Sequence, residues 1–252
     1  MRHNPANPAR ETLAGHGDAR MVTDNRNAGC TPESCLVLMF KAPGRSKRRL
    51  AAAIGPLASI AAEFLCRCAF EDMASWSGPV CFAPAGEADD EWLAERTDRS
   101  DAVVLQRGSN LGERINHVNR ELRSRGFERQ IFIGIDCPDL DEGYLAQAAV
   151  ALDEHDAVLG PACDGGVVLM AARREWPELG DLAWSSANLM AELESVCTDH
   201  GWTTARLAPL ADIDTLEDLD ALRVRVPGDA RPARRAFGAW LANDGHRPEA
   251  QP

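Results

Sequence analysis

From residue 35 to residue 226, short apolar runs alternate with segments that carry apolar residues at helical spacing. The runs Cys35–Phe40 (CLVLMF) and Ile131–Ile135 (IFIGI) have the length and composition of buried strands. Between them, apolar residues recur every three or four positions from Leu111 to Leu122, which predicts a helix. This alternation predicts an α/β fold with a mainly parallel central sheet and helices on both faces.

The two ends of the chain lack this alternation. Residues 1–34 are polar, with repeated Asn, Pro, Arg and Gly, and we expect a disordered N-terminal extension there. Residues 227–252 are again rich in Pro, Arg and Gly, and Ala236–Leu241 offers at most one apolar helical turn, so we expect a loosely attached tail. The predicted domain therefore spans residues 35–226.

Composition excludes several classes of protein. The formal net charge of -12, from 27 basic and 39 acidic residues, argues against a nucleic-acid binder, whose affinity rests on neutralising phosphates. No apolar run approaches the ~18 residues of a membrane span, so no membrane association is expected. Eight cysteines without a recognisable secretory signal favour a reduced, cytoplasmic protein. The sequence leaves open whether translation starts at Met1 or Met21.

The stretch IFIGIDCPDL, residues 131–140, carries the first candidate chemistry. Asp136 follows a predicted strand, and open α/β sheets bind their ligands at the carboxyl ends of strands. Pro138 cannot continue the strand, so the chain turns there, and Asp139 is placed to cap the next helix. A carboxylate beside such a turn suits a hard divalent cation that carries phosphates. The alternative is that Asp136 and Asp139 only cap the turn and the helix.

A basic loop, KAPGRSKRRL, follows the first predicted strand at residues 41–50. Five of its ten residues are cations: Lys41, Arg45, Lys47, Arg48 and Arg49. Gly44 makes the segment a loop, and the backbone N–H groups and dipole of the helix after it attract anions. The loop therefore predicts a phosphate site, with a solvated basic turn as the alternative. Neither the GxxxxGK[ST] of a Walker A loop nor the GxGxxG of a Rossmann dehydrogenase is present.

Asp164-Gly165-Gly166 is a polar turn between two apolar runs, which predicts a hairpin whose glycines permit close approach of a ligand. Strand ends after residues 40, 135 and 160 lie along one edge of the predicted sheet. The basic loop, Asp136 and this turn are therefore expected to meet in one crevice. Such a crevice would bind a nucleoside di- or triphosphate with a divalent metal.

With these motifs the chain resembles the bacterial DUF2064 family. The members of this family are glycosyltransferase-like proteins of the GT-A-like nucleotide-diphospho-sugar transferase superfamily, and they are often associated with radical-SAM gene clusters. The resemblance covers about residues 35–224 and rests on six motifs in the family's order. They are KAPGRSKRRL at 41–50, QRGSNLGER at 106–114, GIDCPDL at 134–140, GPACDGGVVL at 160–169, WS at 184–185 and DIDTLEDL at 212–219.

The resemblance implies one GT-A-like (Rossmann-like) domain with a divalent metal, Mg²⁺ or Mn²⁺, bound at Asp136 together with the nucleotide diphosphate. Asp214 is implied as the second metal carboxylate, and Asp164 is the candidate general base. The candidate nucleotide- and phosphate-binding residues are Lys41, Gly44, Lys47, Arg49, Arg114, Asp139, Gly165 and Gly166. The alternative for Asp214 is a helix cap, and for Arg114 a solvent-facing helix position.

Two positions depart from the family pattern: Arg48 replaces the usual Thr, and Val167-Val168 replace the aromatic pair after DGG. The expected function is metal-dependent transfer of a sugar from a nucleotide-sugar to an unidentified small-molecule acceptor. The basic loop keeps open a nucleotidyltransferase, in which an acceptor phosphate attacks the α-phosphorus of an NTP and pyrophosphate leaves. The missing aromatics keep open a catalytically degenerate nucleotide-binding protein.

Overall fold

The computed structural model describes residues 33–44, 47–97, 100–226 and 228–243. Within them the strands are β1 (Cys35–Phe40), β2 (Val80–Pro84), β3 (Ala102–Val103), β4 (Gln130–Ile133), β5 (Ala157–Pro161), β6 (Val167–Ala172) and β7 (Thr204–Arg206). The helices are α1 (Arg48–Ile54), α2 (Leu57–Ser75), α3 (Glu87–Ala94), α4 (Leu111–Ser124), α5 (Glu142–Ala151), α6 (Leu189–Asp199), α7 (Leu216–Arg225) and α8 (Pro232–Ala242). The predicted extension at residues 1–34 lies outside the described residues, apart from its last two.

One seven-stranded sheet has the order β3-β2-β1-β4-β6-β5-β7. All its neighbouring strands are parallel except at β6, which runs antiparallel to both β4 and β5. The predicted α/β fold with a mainly parallel sheet is therefore confirmed. The predicted hairpin is also confirmed, because the short turn after β5 reverses the chain into β6.

Strand β1 shows why the central strands are continuous apolar runs. Leu36 and Leu38 pack into a core cluster on the α2 and α5 face of the sheet. Cys35 and Val37 pack into a second cluster on the α4 and α6 face. Both faces of the strand are covered, so neither set of alternating positions is polar. No helix within the described residues is long and apolar enough to cross a membrane.

The C-terminal segment corrects the prediction of a loosely attached tail at residues 227–252. In its described part, α8 packs against α2 and α7, and both Phe237 and Leu241 are completely buried. The Phe237 ring stacks on Phe64 of α2, with ring centroids 5.2 Å apart. The prediction failed because the buried face of this helix also includes a charged residue, Arg234, which the apolar pattern does not mark as buried. Its burial depends on ion-pair partners elsewhere in the chain.

The N-terminal caps of α5 and α7 are formed by side chains of the turns that precede these helices. Helix α5 is capped by Asp141, whose side chain accepts a hydrogen bond from Tyr144 N at 2.8 Å. The predicted cap at Asp139 is therefore wrong. Helix α7 begins at a capping box formed by Thr215 and Asp218, so Asp214 is not the cap and its carboxylate is left for other contacts.

Candidate active site

A pocket of about 580 Å³ lies at the carboxyl ends of β1 and β4, beside the turn between β5 and β6. This volume lies within the range of about 300–1,000 Å³ that is usual for small-molecule sites. The pocket brings together residues that are far apart in the sequence. Among the described residues, its charged lining is Lys41, Arg49, Arg114, Asp136, Asp164, Asp212 and Asp214.

Lys47 links the two carboxylates for which a metal role is predicted. Its Nζ lies 2.7 Å from Asp136 Oδ1 and 3.0 Å from Asp214 Oδ1, and it also donates to the carbonyl of Ile213. Three oxygen atoms, from Asp136, Asp214 and Ile213, therefore surround the ammonium. The Lys47 side chain is 2% exposed, against 46% for Asp136 and 35% for Asp214. The carboxylates, and not the ammonium, face the pocket.

The charge of Lys47 is maintained by this arrangement. Burial alone would lower the pKa of the Lys47 ammonium, but the charges of Asp136 and Asp214 outweigh burial and raise it. The backbone of Lys47 is left-handed, with φ of 62°, which costs a non-glycine residue about 1–2 kcal/mol. The ion pairs hold it in this conformation directly before α1.

The turns that carry the two carboxylates are joined through the backbone. Ile213 N donates to the carbonyl oxygen of Asp136 at 2.9 Å, and Asp214 N donates to Asp218 Oδ2 at 3.0 Å. The spacing between Asp136 and Asp214 is thus fixed by main-chain contacts as well as by their shared cation.

Three further cations line the pocket. Arg49 Nη1 lies 3.6 Å from Asp214 Oδ2, and its side chain is largely exposed. Lys41 is exposed, and Arg114 Nε donates to the carbonyl of Gly108 at 3.1 Å. These positions suit contacts with an anionic group bound in the pocket.

The predicted turn contributes unequally to the pocket. Asp164 is exposed on the pocket wall, and its Oδ1 accepts a hydrogen bond from Gly166 N at 2.9 Å. Gly165 has φ of +93°, and a Cβ at this position would lie 2.1 Å from the carbonyl oxygen of Ala187. Only glycine fits there, so Gly165 supports the neighbouring loop, whereas Gly166 lines the pocket.

Sequence reasoning missed Asp212 as a site residue. Burial, with the nearby charges of Asp164 and Asp214, raises the pKa of Asp212 to about 6. Its position two residues before Asp214 in the DIDT motif was the available signal, because residues i and i+2 of an extended segment face the same side. Ser185, which has an unusual left-handed φ of 70°, and Trp184 also line the pocket.

Four predicted site residues do not line the pocket. Lys47 lies behind the carboxylates, and Gly165 supports a loop. Gly44 has φ of +85°, and a Cβ there would lie 3.7 Å from Ser59 Oγ. Asp139 forms an ion pair with Arg225, at 3.0 Å between Oδ2 and Nε. The position of Asp139 does not support the predicted contact with a nucleotide.

A divalent metal fits the carboxylates, although no three Asp, Glu, His or Cys residues converge on one point within the described ranges. Mg²⁺ is commonly held by one or two carboxylates together with substrate phosphates, so two are sufficient. Asp136 Oδ1 is buried and, within the described residues, makes no hydrogen bond of good geometry. Its contact there is the ion pair with Lys47.

Similar solved structures define the class of fold. A candidate nucleotide-diphospho-sugar transferase from Desulfovibrio desulfuricans G20 is 24% identical, with a TM-score of 0.74 over 84% of this chain and 96% of that one. A cytidylyltransferase from Leptospira borgpetersenii serovar Hardjo-bovis is 13% identical, with a TM-score of 0.50 over 87% and 98%. Rv0371c of Mycobacterium tuberculosis H37Rv in complex with manganese is 16% identical, with a TM-score of 0.45 over 76% and 98%. The domain has the GT-A-like (Rossmann-like) fold.

A family model described as "Uncharacterized protein conserved in bacteria (DUF2064)" matches residues 68–186. This match confirms the resemblance to the DUF2064 family that the motifs predict. The matched segment includes Arg114, Asp136 and the turn at Asp164. No curated protein matches the chain.

Proposed function

We propose that the protein is a metal-dependent, glycosyltransferase-like enzyme that transfers a sugar from a nucleotide-sugar to a small-molecule acceptor. The observation that carries this proposal is the convergence of Asp136 and Asp214 on one cation, in a pocket also lined by Lys41, Arg49 and Arg114. Carboxylates suit a hard cation and Lys or Arg side chains suit phosphates, so the lining of the pocket supports both parts of the proposed diphosphate site. The fold shared with the Desulfovibrio protein supports the proposal.

In this proposal Asp136 and Asp214 hold the divalent metal, Mg²⁺ or Mn²⁺. When bound, the metal stabilises the charge that develops on the leaving diphosphate. Lys41, Arg49 and Arg114 bind phosphate oxygens from the pocket wall. Since Lys47 already contacts both carboxylates, its role is to keep them correctly spaced, and it does not reach the phosphate from its present position.

Asp164 is the proposed general base. It is exposed on the pocket wall, and one of its oxygens is fixed by the N–H of Gly166. In this proposal the carboxylate takes the proton of the acceptor hydroxyl. Asp212 is the second candidate, because its pKa of about 6 is closer to neutral pH, where a general base is most effective.

A nucleotidyltransferase remains the second candidate function. Three cations in the pocket suit the greater charge of a triphosphate, and the Leptospira cytidylyltransferase shares the fold. The two functions differ in the leaving group: a glycosyltransferase releases a nucleoside diphosphate, whereas a nucleotidyltransferase releases pyrophosphate. A degenerate protein would bind a nucleotide but release neither.

The test begins with a thermal-shift screen of UDP-, GDP-, CDP- and dTDP-sugars and of the NTPs, each with and without Mg²⁺ or Mn²⁺. A ligand that binds the native state raises the melting temperature by mass action. A shift that requires metal and a nucleotide-sugar is expected, and hydrolysis or transfer products then identify the leaving group. Shifts from NTPs alone would favour the nucleotidyltransferase.

Asp136→Asn is the first variant to measure. We expect its metal-dependent nucleotide affinity to fall at least tenfold, because even mutation of the groups that orient a metal ligand typically costs about 10–100-fold. Asp199→Asn is the matched control, since Asp199 is an exposed acid on α6 outside the pocket. Affinity in the Asp136 variant equal to that of the control would contradict the assigned site.

A further inference from the structure

The turn that follows Asp136 is held by the C-terminal segment of the chain. Arg234 of α8 donates from Nε to the carbonyl of Pro138 at 3.2 Å and from Nη2 to the carbonyl of Leu140 at 3.1 Å. Arg231 Nη1 donates to the same Leu140 carbonyl at 2.7 Å. The two main-chain carbonyls that flank Asp139 therefore depend on two arginines from the end of the domain.

Both arginines are themselves fixed to α2. The Arg234 guanidinium lies 2.9 Å from Glu71 Oε2 and 2.6 Å from Asp72 Oδ2, and it donates to the carbonyl of Cys68. Together with the two carbonyls of the turn, these acceptors use all five N–H groups of a guanidinium. Arg231 also lies 3.3 Å from Asp72 Oδ1, so one carboxylate joins the two arginines.

Full use of its donors makes the position of Arg234 rigid. Its side chain is 1% exposed, and a buried guanidinium without partners is costly, so a shift of the turn would leave two donors unsatisfied. The outer side of the turn receives a third arginine, Arg225, through its ion pair with Asp139. The turn is thus held at consecutive residues by side chains from α7 and the start of α8.

The position of this turn sets the position of Asp136. On one side, the Asp136 carbonyl accepts from Ile213 N, which ties it to the Asp214 segment. On the other side, the chain enters the turn held by Arg231 and Arg234. If the turn moved, Asp136 would move relative to Asp214, and the two carboxylates would no longer converge on one cation.

We propose that Arg231 and Arg234 are positioning residues for the metal–phosphate site, acting through the turn at residues 137–140 to place Asp136. This inference rests on the proposed function, because it assigns Asp136 to that site. It gives the C-terminal helix a role in ligand binding beyond covering the core.

Arg231→Gln is the variant that tests the inference, since its side chain is 29% exposed and a glutamine there stays solvated. Leu241→Ala is the matched control, because it removes buried packing from the same helix without touching the arginines. Two quantities are measured well below the melting temperature. The first is hydrogen exchange of the backbone amides of Cys137, Asp139 and Leu140, and the second is binding of Mn²⁺ alone, followed by the EPR signal of the free ion.

For Arg231→Gln we expect faster exchange in the turn and Mn²⁺ affinity about tenfold weaker, as for other residues that orient metal ligands. Arg231→Lys, which retains a charged donor, should restore part of both. Leu241→Ala should lower the melting temperature at least as much and leave both quantities unchanged. A result for Arg231→Gln equal to that control, or faster exchange with unchanged Mn²⁺ affinity, would overturn the inference.

Failure of the proposed function can be told apart from failure of this inference. If the unaltered protein binds no Mn²⁺, the metal role of Asp136 is wrong, whereas exchange of the turn still reports whether the arginines hold it. Unchanged exchange in Arg231→Gln would then reject the positioning role independently.

Discussion

Two clusters of buried charge differ in how completely their polar groups are used. Around Arg234, every donor of the guanidinium has an acceptor, and the carboxylate of Asp72 is almost fully buried. Around Lys47, the ammonium is enclosed, but the carboxylates of Asp136 and Asp214 are partly exposed to a pocket. The first cluster has no capacity left for a ligand, while the second has carboxylate oxygens available.

This difference shows how a structural ion cluster can be separated from a binding site. Each cluster has a buried cation between two acids: Arg234 lies between Glu71 and Asp72, and Lys47 lies between Asp136 and Asp214. Of the two, the Lys47 cluster borders the carboxyl ends of strands, where α/β sheets bind ligands. The pocket beside it is also lined by the cations Lys41, Arg49 and Arg114. Exposure of the acids, more than the presence of the ion pair, marks the site.

The largest effect should come from Arg234→Met. Removing one partner of a buried ion cluster commonly costs about 3–5 kcal/mol, because the remaining charges are left uncompensated. The free energy of unfolding, measured with urea, should fall by that amount. Arg206→Met is the control, since its ion pair with Glu194 is exposed and should cost at most about 1 kcal/mol. Equal losses in the two variants would show that the buried Arg234 cluster contributes no more to stability than an exposed ion pair.

The pH dependence of stability should follow Asp72. Burial raises the pKa of Asp72 to about 6, although Arg234 and Arg231 oppose this shift. Between its ordinary pKa of 3.8 and about 6, the folded state keeps a proton that the unfolded state releases, so stability falls as pH rises through this range. At about 1.4 kcal/mol per pKa unit, the loss is at most about 3 kcal/mol.

Unfolding of the parent protein and of Asp72→Asn at several pH values between 4 and 7 measures this contribution. As pH rises to about 6, the free energy of unfolding of the parent should fall relative to that of Asp72→Asn. Above about pH 6 the difference between the two free energies should stay constant. A difference that is constant with pH would mean that the arginines fully offset burial, so that the pKa of Asp72 is not raised.

A smaller effect is expected for Lys47→Met. The carboxylates of Asp136 and Asp214 lose their shared cation but keep contact with water, so the cost should be about 2 kcal/mol, in the range for hydrogen bonds to charged groups. Added Mn²⁺ should recover part of this loss in the variant, because a metal replaces the missing charge and stabilises by mass action. Absence of any recovery would argue that the carboxylates do not accept a metal.

The sequence predicted those parts of the fold that depend on local pattern. Strands β1 and β4 were visible because burial on both faces makes them continuous apolar runs. Asp136 and Asp164 were visible because acids and glycines interrupt such runs at the strand ends. The sequence did not show whether Asp139 or Asp141 caps α5, since this depends on where the backbone leaves the turn.

Arg234 and Lys47 show what local pattern leaves out. Arg234 is separated from Glu71 by 163 residues, and nothing near it in the sequence distinguishes it from a solvated arginine. Lys47 was predicted to bind phosphate as part of a basic loop, but Asp214 and Asp136 enclose it from distant turns. In both cases the environment of a charge is set by partners that only the three-dimensional fold supplies.

The distance in sequence between Arg234 and the carbonyl of Pro138 has a consequence for biosynthesis. The turn that carries Asp136 leaves the ribosome 96 residues before the arginine that holds it. At about 5–20 residues per second, the nascent chain carries an unfixed turn for roughly 5–20 seconds. The central strands are able to pair during translation, but on this inference the pocket reaches its final geometry only when α8 has been synthesised and has docked.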